Sequence, residues 1–291
     1  MSATFEELTQ MHPCFSTGAK PNKGRVHLPV SPGCNIRCNF CERALNDTEM
    51  RPGVASAIIP PDEALDVIRK AAALCPDITV AGVAGPGDAL ATPYALETFR
   101  RIKQEFPGII KCMSTNGLLL PDFADEIIEI GIDSLSVTVN AVDPEIQARI
   151  CESVTFHGRR YEGAEAAKIL IQNQLAGIRR VAAAGVTVKV NTVLIPEINA
   201  RHAPFIARTV SEAGAKIYNI IPLIPQYKLS WCSAPDCGLI SKTRTEAEQF
   251  ITVFRHCRRC RADAAGVVGG VDITEQLYIH PVRPENTFSH G

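Results

Sequence analysis

The sequence predicts an α/β fold organised on a parallel sheet, a partial or complete β/α barrel of TIM-like form in a single domain over residues 1–291. Three observations carry that expectation. Strand-like and helix-like segments alternate through most of the chain. The strand candidates read as apolar runs rather than alternating ones, as a sheet covered on both faces requires. No GxGxxG follows the first strand, so an open dinucleotide-binding sheet fits less well.

Residues 25–30 read as the first strand, which runs into a cysteine-rich loop. Residues 62–74 (DEALDVIRKAAAL) have helical spacing with acidic residues in the first turn, and strand 78–83 and helix 93–106 follow. Next come strand 109–114, helix 121–130 closed by Gly131, and strand 134–139. The longest helix spans 165–184 with Gly185 as its C-cap. Strands 186–194 and 217–221 flank helix 200–213, and 246–260 reads as the last long helix. The barrel core is expected over about 25–225, with the ends, about 11–24 and 226–270, closing over its mouth. Ligands of such barrels gather at the carboxyl ends of the strands. The cysteine loop, AGPGD, STNG and IIPLIP all follow candidate strands, which locates the site.

Apolar residues make up 46% and charged residues 21% of the chain, and the formal net charge is −1. That balance argues against a general nucleic-acid or membrane-surface binder. No apolar run is long enough to cross a bilayer, and MSATFEELTQMHPC lacks a basic-then-apolar leader. A cytoplasmic protein is expected. Cysteine is the outlier, with 11 residues. Reduced, clustered thiols in such a chain more often bind metal or do chemistry than form disulfides.

Cys34, Cys38 and Cys41 form CxxxCxxC. Three thiolates hold three irons of a 4Fe–4S cube and leave the fourth open, whereas a closed electron-transfer cluster or zinc site takes four ligands. With the aromatic Phe40 before the third cysteine, this segment resembles the radical S-adenosylmethionine (SAM) superfamily. That resemblance implies an open iron chelating the amino and carboxylate groups of SAM, and a one-electron cleavage to methionine and a 5′-deoxyadenosyl radical. It also sets the turn of Gly85, Pro86, Gly87 and Asp88 against the SAM amino group. Glycines there permit close backbone approach, although any tight turn reads alike. Asn140 and Asn191, at or near strand ends, are candidates for the SAM ribose or carboxylate. Ile220, Ile221 and Pro222 are candidates for packing on adenine. Ordinary core or loop roles suit these residues equally well.

Cys257 and Cys260 form CxxC near the carboxyl end, and Cys14 lies in HPC near the amino end. Together they could hold a second cluster if the chain ends meet over the mouth. His27 and Cys112 lie on the first and third strands and could point into the barrel. Singly, a core histidine and a small buried hydrophobe are the plainer readings.

Taken together, the segments resemble the NifB family of nitrogenase-cofactor maturases, in its short form without a C-terminal carrier domain. The matching pieces are HPCF, VHLPVSPGCNIRCNFC, RPGV, AGPGDALA, STNGL, TVNAVDP, EAAKIL and CRRCRADA, which span nearly the whole chain. The resemblance implies three 4Fe–4S clusters: one on Cys34, Cys38 and Cys41, one on His27 and Cys112, one on Cys14, Cys257 and Cys260. It implies lyase- or transferase-type chemistry. The second and third clusters would be fused into an 8Fe–9S–carbide precursor, with carbon from a SAM methyl group. The implied partners are an iron–sulfur donor scaffold, a reductant such as a ferredoxin, and a downstream cofactor scaffold or carrier.

One departure matters. Many relatives carry a further cysteine before RPG, and here the stretch is Asn46-Asp47-Thr48-Glu49-Met50. Asp47, Glu49 or an exogenous ligand would complete the His27–Cys112 cluster, or Glu49 would handle protons. Cys75, Cys151, Cys232 and Cys237 have no assigned role. Competing readings are a radical SAM enzyme with a small organic substrate, and a non-catalytic iron–sulfur scaffold or carrier.

Overall fold

The computed structural model describes residues 3–16 and 22–278. In chain order the elements are α1 (Phe5–Met11), β1 (Gly24–His27), β2 (Ile36–Cys38), β3 (Ala44–Leu45), β4 (Val54–Ala55), α2 (Pro61–Leu74), β5 (Ile78–Val83), α3 (Tyr94–Glu105) and β6 (Ile110–Thr115). Then follow α4 (Leu120–Ile130), β7 (Ser134–Thr138), α5 (Pro144–Ile150), β8 (Cys151–Phe156), β9 (Arg159–Glu162), α6 (Gly163–Ala183) and β10 (Thr187–Leu194). The chain ends in α7 (Ala203–Glu212), β11 (Ile217–Pro222), α8 (Cys237–Ala247), β12 (Thr252–Phe254), β13 (Ala265–Val267) and α9 (Thr274–Leu277).

The main sheet has the order β12-β11-β10-β7-β6-β5-β1-β13. Every pairing in it is parallel except β1 with β13. β12 and β13 are its edges and do not pair, so the barrel is partial. No helix among the described residues is long and apolar enough to cross a membrane.

The strands differ from the apolar runs expected. Val26, Ala81, Met113, Leu135, Val137, Val188, Val190, Tyr218 and Ile220 form one face and pack beneath the helices. Between them, His27, Gly82, Cys112, Ser136, Lys189, Asn191 and Asn219 face a cavity. Helices pack on the outer face, while on the inner face Leu8 of α1 and Phe15 pack with Val80, Ile110 and Ile217 beside the cavity-lining polar residues; the period-two alternation of a strand separates these two sides.

Two more segments depart from expectation. Residues 246–260 do not form one helix: α8 ends at Ala247, and Thr252–Phe254 adds β12 to the edge of β11. The β-branched and aromatic run Ile251-Thr252-Val253-Phe254 suits a pleated edge better than a helix. The hairpin of β8 and β9 was not anticipated. Its two-residue turn, His157-Gly158, has positive φ at both positions, +47° and +75°. β8 pairs antiparallel with β2, so this hairpin grips the cysteine loop.

The α4–α6 contact is tight enough to test. A Cβ at Gly177 would lie 2.5 Å from Cγ and 2.7 Å from Cβ of Leu120, which is fully buried. Ala at a helix interior gains about 1 kcal/mol over Gly, but overpacking near a side-chain root costs roughly 1–3 kcal/mol. Gly177→Ala should therefore lower the thermal unfolding midpoint; a higher midpoint would show that α4 yields freely.

Candidate active site at the carboxyl ends of the strands

The cysteine loop is fixed from two sides. Asn39 N–H donates to Ile150 O at 2.8 Å and Thr155 N–H to Asn35 O at 2.7 Å, which bind it to the end of α5 and to the hairpin. Gly87 N–H donates to Ser31 O at 2.7 Å and Asp88 N–H to Gly33 O at 2.8 Å, which bind it to AGPGD. A Cβ at Gly87 would lie 2.0 Å from Gly33 O, so only glycine permits this approach.

Asp88 organises the loops behind this contact. Its buried carboxylate accepts from Leu90 N–H at 2.9 Å, from Thr115 Oγ1 at 3.0 Å, and from Asn116 N–H. Burial pushes its pKa up against these hydrogen bonds. Asn116 in turn donates to Asn35 Oδ1 at 2.6 Å and contacts Cys34 Sγ at 3.8 Å. The AGPGD and STNG turns thus form one hydrogen-bonded unit carrying the first cysteine.

The three loop thiols are buried. Burial, then the Asp88 carboxylate, pushes Cys34 up to about 12. A hydrogen bond with Cys151, then burial, raises Cys38 well above its ordinary value, and burial raises Cys41. Such thiols stay protonated at neutral pH until a metal displaces their protons. Three soft donors in one loop, with an amide donor beside Cys34, fit a 4Fe–4S cluster. Among the described residues no three His, Cys, Asp or Glu side chains converge on a single ion. A cube imposes no such convergence, since each thiolate takes a different iron.

The cavity, about 330 Å³, lies over the inner face of the sheet. His12, Cys14, His27, Cys41, Cys112, Cys257 and Cys260 line it, so residues 12–14 and 257–260 come together at the barrel mouth. Asn191 and Ile221 line it too, with Pro222 and Phe40. Ile220 does not; it packs in the core beneath the helices.

His27 Nδ1 lies 3.0 Å from Arg261 O. A carbonyl only accepts, so Nδ1 carries the proton and Nε2 keeps its lone pair. Burial, then Arg25, holds the ring down at about 4, so it is neutral at pH 7. Burial raises Cys112 and pushes Cys14 up to about 11.

Several expected residues are not brought to the cavity. Asn140 is buried and its Oδ1 accepts from Val193 N–H at 2.9 Å, so its amide is spent on the β7–β10 joint. Asp88 is spent on the loops described above. Glu49 is partly exposed, 2.5 Å from Arg51 and 3.2 Å from Asn46 Nδ2; Arg51 rather than Glu49 lines the cavity. Asp47 is exposed. Cys75 caps α2, Cys232 is buried in a satellite cluster, and Cys237 opens α8 rather than lying in a loop. Cys151 faces Cys38 across the β2–β8 pair.

Lys189, Arg25, His12 and Asn116 were missed. A lysine inside the run Val186-Thr187-Val188-Lys189-Val190 was the available signal, because a charge in a buried strand needs a reason.

Comparison with known proteins bears on the same residues. The Radical SAM superfamily model matches residues 28–210. The chain is 43% identical to the FeMo cofactor biosynthesis protein NifB of Methanocaldococcus jannaschii, over 98% of this chain and 95% of that protein. The chain belongs to the NifB family of radical SAM proteins. It is therefore an enzyme of FeMo cofactor biosynthesis, and the family implies a 4Fe–4S cluster and SAM. It is 41% identical to NifB of Klebsiella pneumoniae over 89% of this chain and 57% of that one. Among solved structures, a radical SAM methyltransferase from Sphaerobacter thermophilus shares the fold, with TM-score 0.60, 17% identity, and coverage of 81% and 67% of the two chains.

The Asp88 clamp gives a second test. Asp88→Ala would strand buried N–H and O–H donors from Leu90, Thr115 and Asn116, at roughly 2–4 kcal/mol in total. Chemical denaturation of the metal-free protein should report a loss of that order; an unchanged midpoint would show that the loops hold without the carboxylate.

Proposed function

We propose that this NifB-family enzyme fuses two 4Fe–4S substrate clusters into an 8Fe–9S–carbide precursor, with SAM as both methyl donor and radical source. One observation carries the reading: a single cavity is lined by Cys41 of the radical SAM loop, by His27 and Cys112 from the sheet, and by Cys14, Cys257 and Cys260 from the chain ends. Radical SAM enzymes for organic substrates also carry auxiliary clusters, but HPC together with CxxCRADA does not suit them, and a mere carrier does not need a SAM pocket.

In this reading Cys34, Cys38 and Cys41 would hold the resident cluster, which would supply an open iron for SAM and the one-electron chemistry that cleaves it. Gly85, Pro86 and Gly87 bring backbone close to the SAM amino group, while Asp88 holds that turn in place. Asn191 and Ile221 bound the SAM site, and Asn140 braces the strand beside it. His27, through Nε2, and Cys112 hold one substrate cluster. Asp47 and Glu49 remain candidates for its next ligand, but the exposure of Asp47 and the Arg51 tether on Glu49 favour an exogenous ligand. Cys14, Cys257 and Cys260 hold the other substrate cluster. Two cubes supply eight irons and eight sulfides; the ninth sulfide comes from outside and the carbon from a SAM methyl group. A donor scaffold delivers the cubes, a reductant such as a ferredoxin supplies electrons, and a cofactor scaffold or carrier in the cytoplasm removes the product.

Anaerobic reconstitution tests this directly. The intact chain should take up about 12 irons and Cys257→Ala about 8, with SAM binding retained. Cys34→Ala should form no 5′-deoxyadenosine on reduction. Uptake of only about 4 irons by the intact chain would overturn the fusion reading and leave an ordinary radical SAM enzyme.

A further inference from the structure

Lys189 is 6% exposed and lies in the middle of β10, on the strand face that lines the cavity. Three other buried cations are paired with carboxylates. Lys111 is 3.1 Å from Asp133, Arg51 is paired with Glu49, and Arg261 is paired with Asp263 at 2.8 Å. Among the described residues Lys189 has no carboxylate partner. Its Nζ donates to Cys14 O at 3.3 Å and sits over the rings of Phe15 at 4.7 Å and Phe254 at 5.6 Å. Two cation–π contacts and one hydrogen bond recover a few kcal/mol at most. Removing an ammonium from water costs several kcal/mol even after relaxation. The balance calls for an anion in the cavity.

Two neighbours point to the same place. Arg25 is also buried, donates to Gly266 O at 2.7 Å and to Cys260 Sγ at 3.4 Å, and has no carboxylate partner among the described residues. His12 is 2% exposed; its Nδ1 accepts from Cys14 N–H at 3.1 Å, so Nε2 carries the proton. That buried Nε2–H has no hydrogen-bond partner, and His12 lines the cavity. A cation, a second cation and an unspent donor thus surround the Cys14–Cys260 side.

We propose that Lys189 is a positioning residue whose ammonium, backed by Arg25 and the His12 Nε2–H, is the countercharge of an anionic iron–sulfur substrate bound by Cys14, Cys257 and Cys260. The inference rests on reading those three cysteines as ligands. A 2+ cubane core held by three thiolates carries net negative charge, and burying it requires a cation that the ligands do not supply. Lys189 therefore weakens the metal-free fold and strengthens the loaded one.

That opposition in sign is the test. Lys189→Met, Lys189→Gln and Lys189→Arg would be compared with the intact chain, metal-free and after anaerobic reconstitution. Metal-free Lys189→Met should unfold at the same or a higher temperature, since an unpaired buried charge is gone. Once loaded, it should lose the iron of one cluster to a chelator about tenfold faster, and reduce that cluster at a more negative potential. Lys189→Arg should behave like the intact chain, and Lys189→Gln like Met should the latter not fold. Equal iron retention in Met or Gln and intact chains would overturn the inference. So would a lower metal-free unfolding temperature with unchanged retention, the mark of a structural lysine. Uptake of only about 4 irons by the intact chain would instead overturn the underlying ligand reading, whatever the variants did.

Discussion

The candidate site depends on the buried ion pair between Arg261 and Asp263. Their side chains are 4% and 0% exposed and meet at 2.8 Å. Arg261 also donates to Glu49 O at 2.9 Å and Asn46 O at 2.8 Å, and Asp263 accepts from Ser56 Oγ at 2.9 Å. The pair thereby ties the carboxyl-terminal strap to the 46–56 loop, and Arg261 O orients His27. Losing one partner would leave a buried charge unmatched, at roughly 3–5 kcal/mol. With the Ala262 N–H bond to Val54 O at 2.8 Å and the β1–β13 pairing, this clasp anchors the segment that carries Cys257 and Cys260.

Above this clasp, the chemistry follows from strand geometry. Parallel strands end on one side of the sheet, and alternate residues along each strand point to one face. Helices absorb the apolar face; the other face is left to His27, Cys112, Lys189, Asn191 and Asn219. Such a surface would be costly in a filled barrel, because polar groups without partners would be buried. Around an open cavity those groups can still meet water or a bound ligand. The unspent donors at His12 and Arg25 belong to the same arrangement.

Much of this was legible in the residues, and the remainder was not for physical reasons. CxxxCxxC and AGPGD are local patterns whose backbones meet through short hydrogen bonds, so adjacency in sequence carried them. Convergence of Cys14 with Cys257 and Cys260 was expected on family resemblance, since no local rule joins residues so far apart. The inner polar face is hidden in the sequence because Thr187–Leu194 looks apolar as a run, although Lys189 and Asn191 fall on one face and Val188 and Val190 on the other; Ile78–Val83 stays apolar on both faces, with Val80 and Gly82 toward the cavity. The sequence pattern continues from α8 through Thr252–Phe254 as helix, and tertiary pairing with β11 makes it a strand instead. Glu49 looked like a site residue by position, and only the structure turns it toward Arg51.

The most direct test of the account is an anomalous difference map at the iron edge from crystals of anaerobically reconstituted protein. The account predicts three separate iron clusters: one on Cys34, Cys38 and Cys41, one bounded by Cys14, Cys257 and Cys260, and one between His27 and Cys112. Iron confined to the first position, with the other thiols and His27 unligated, would contradict it.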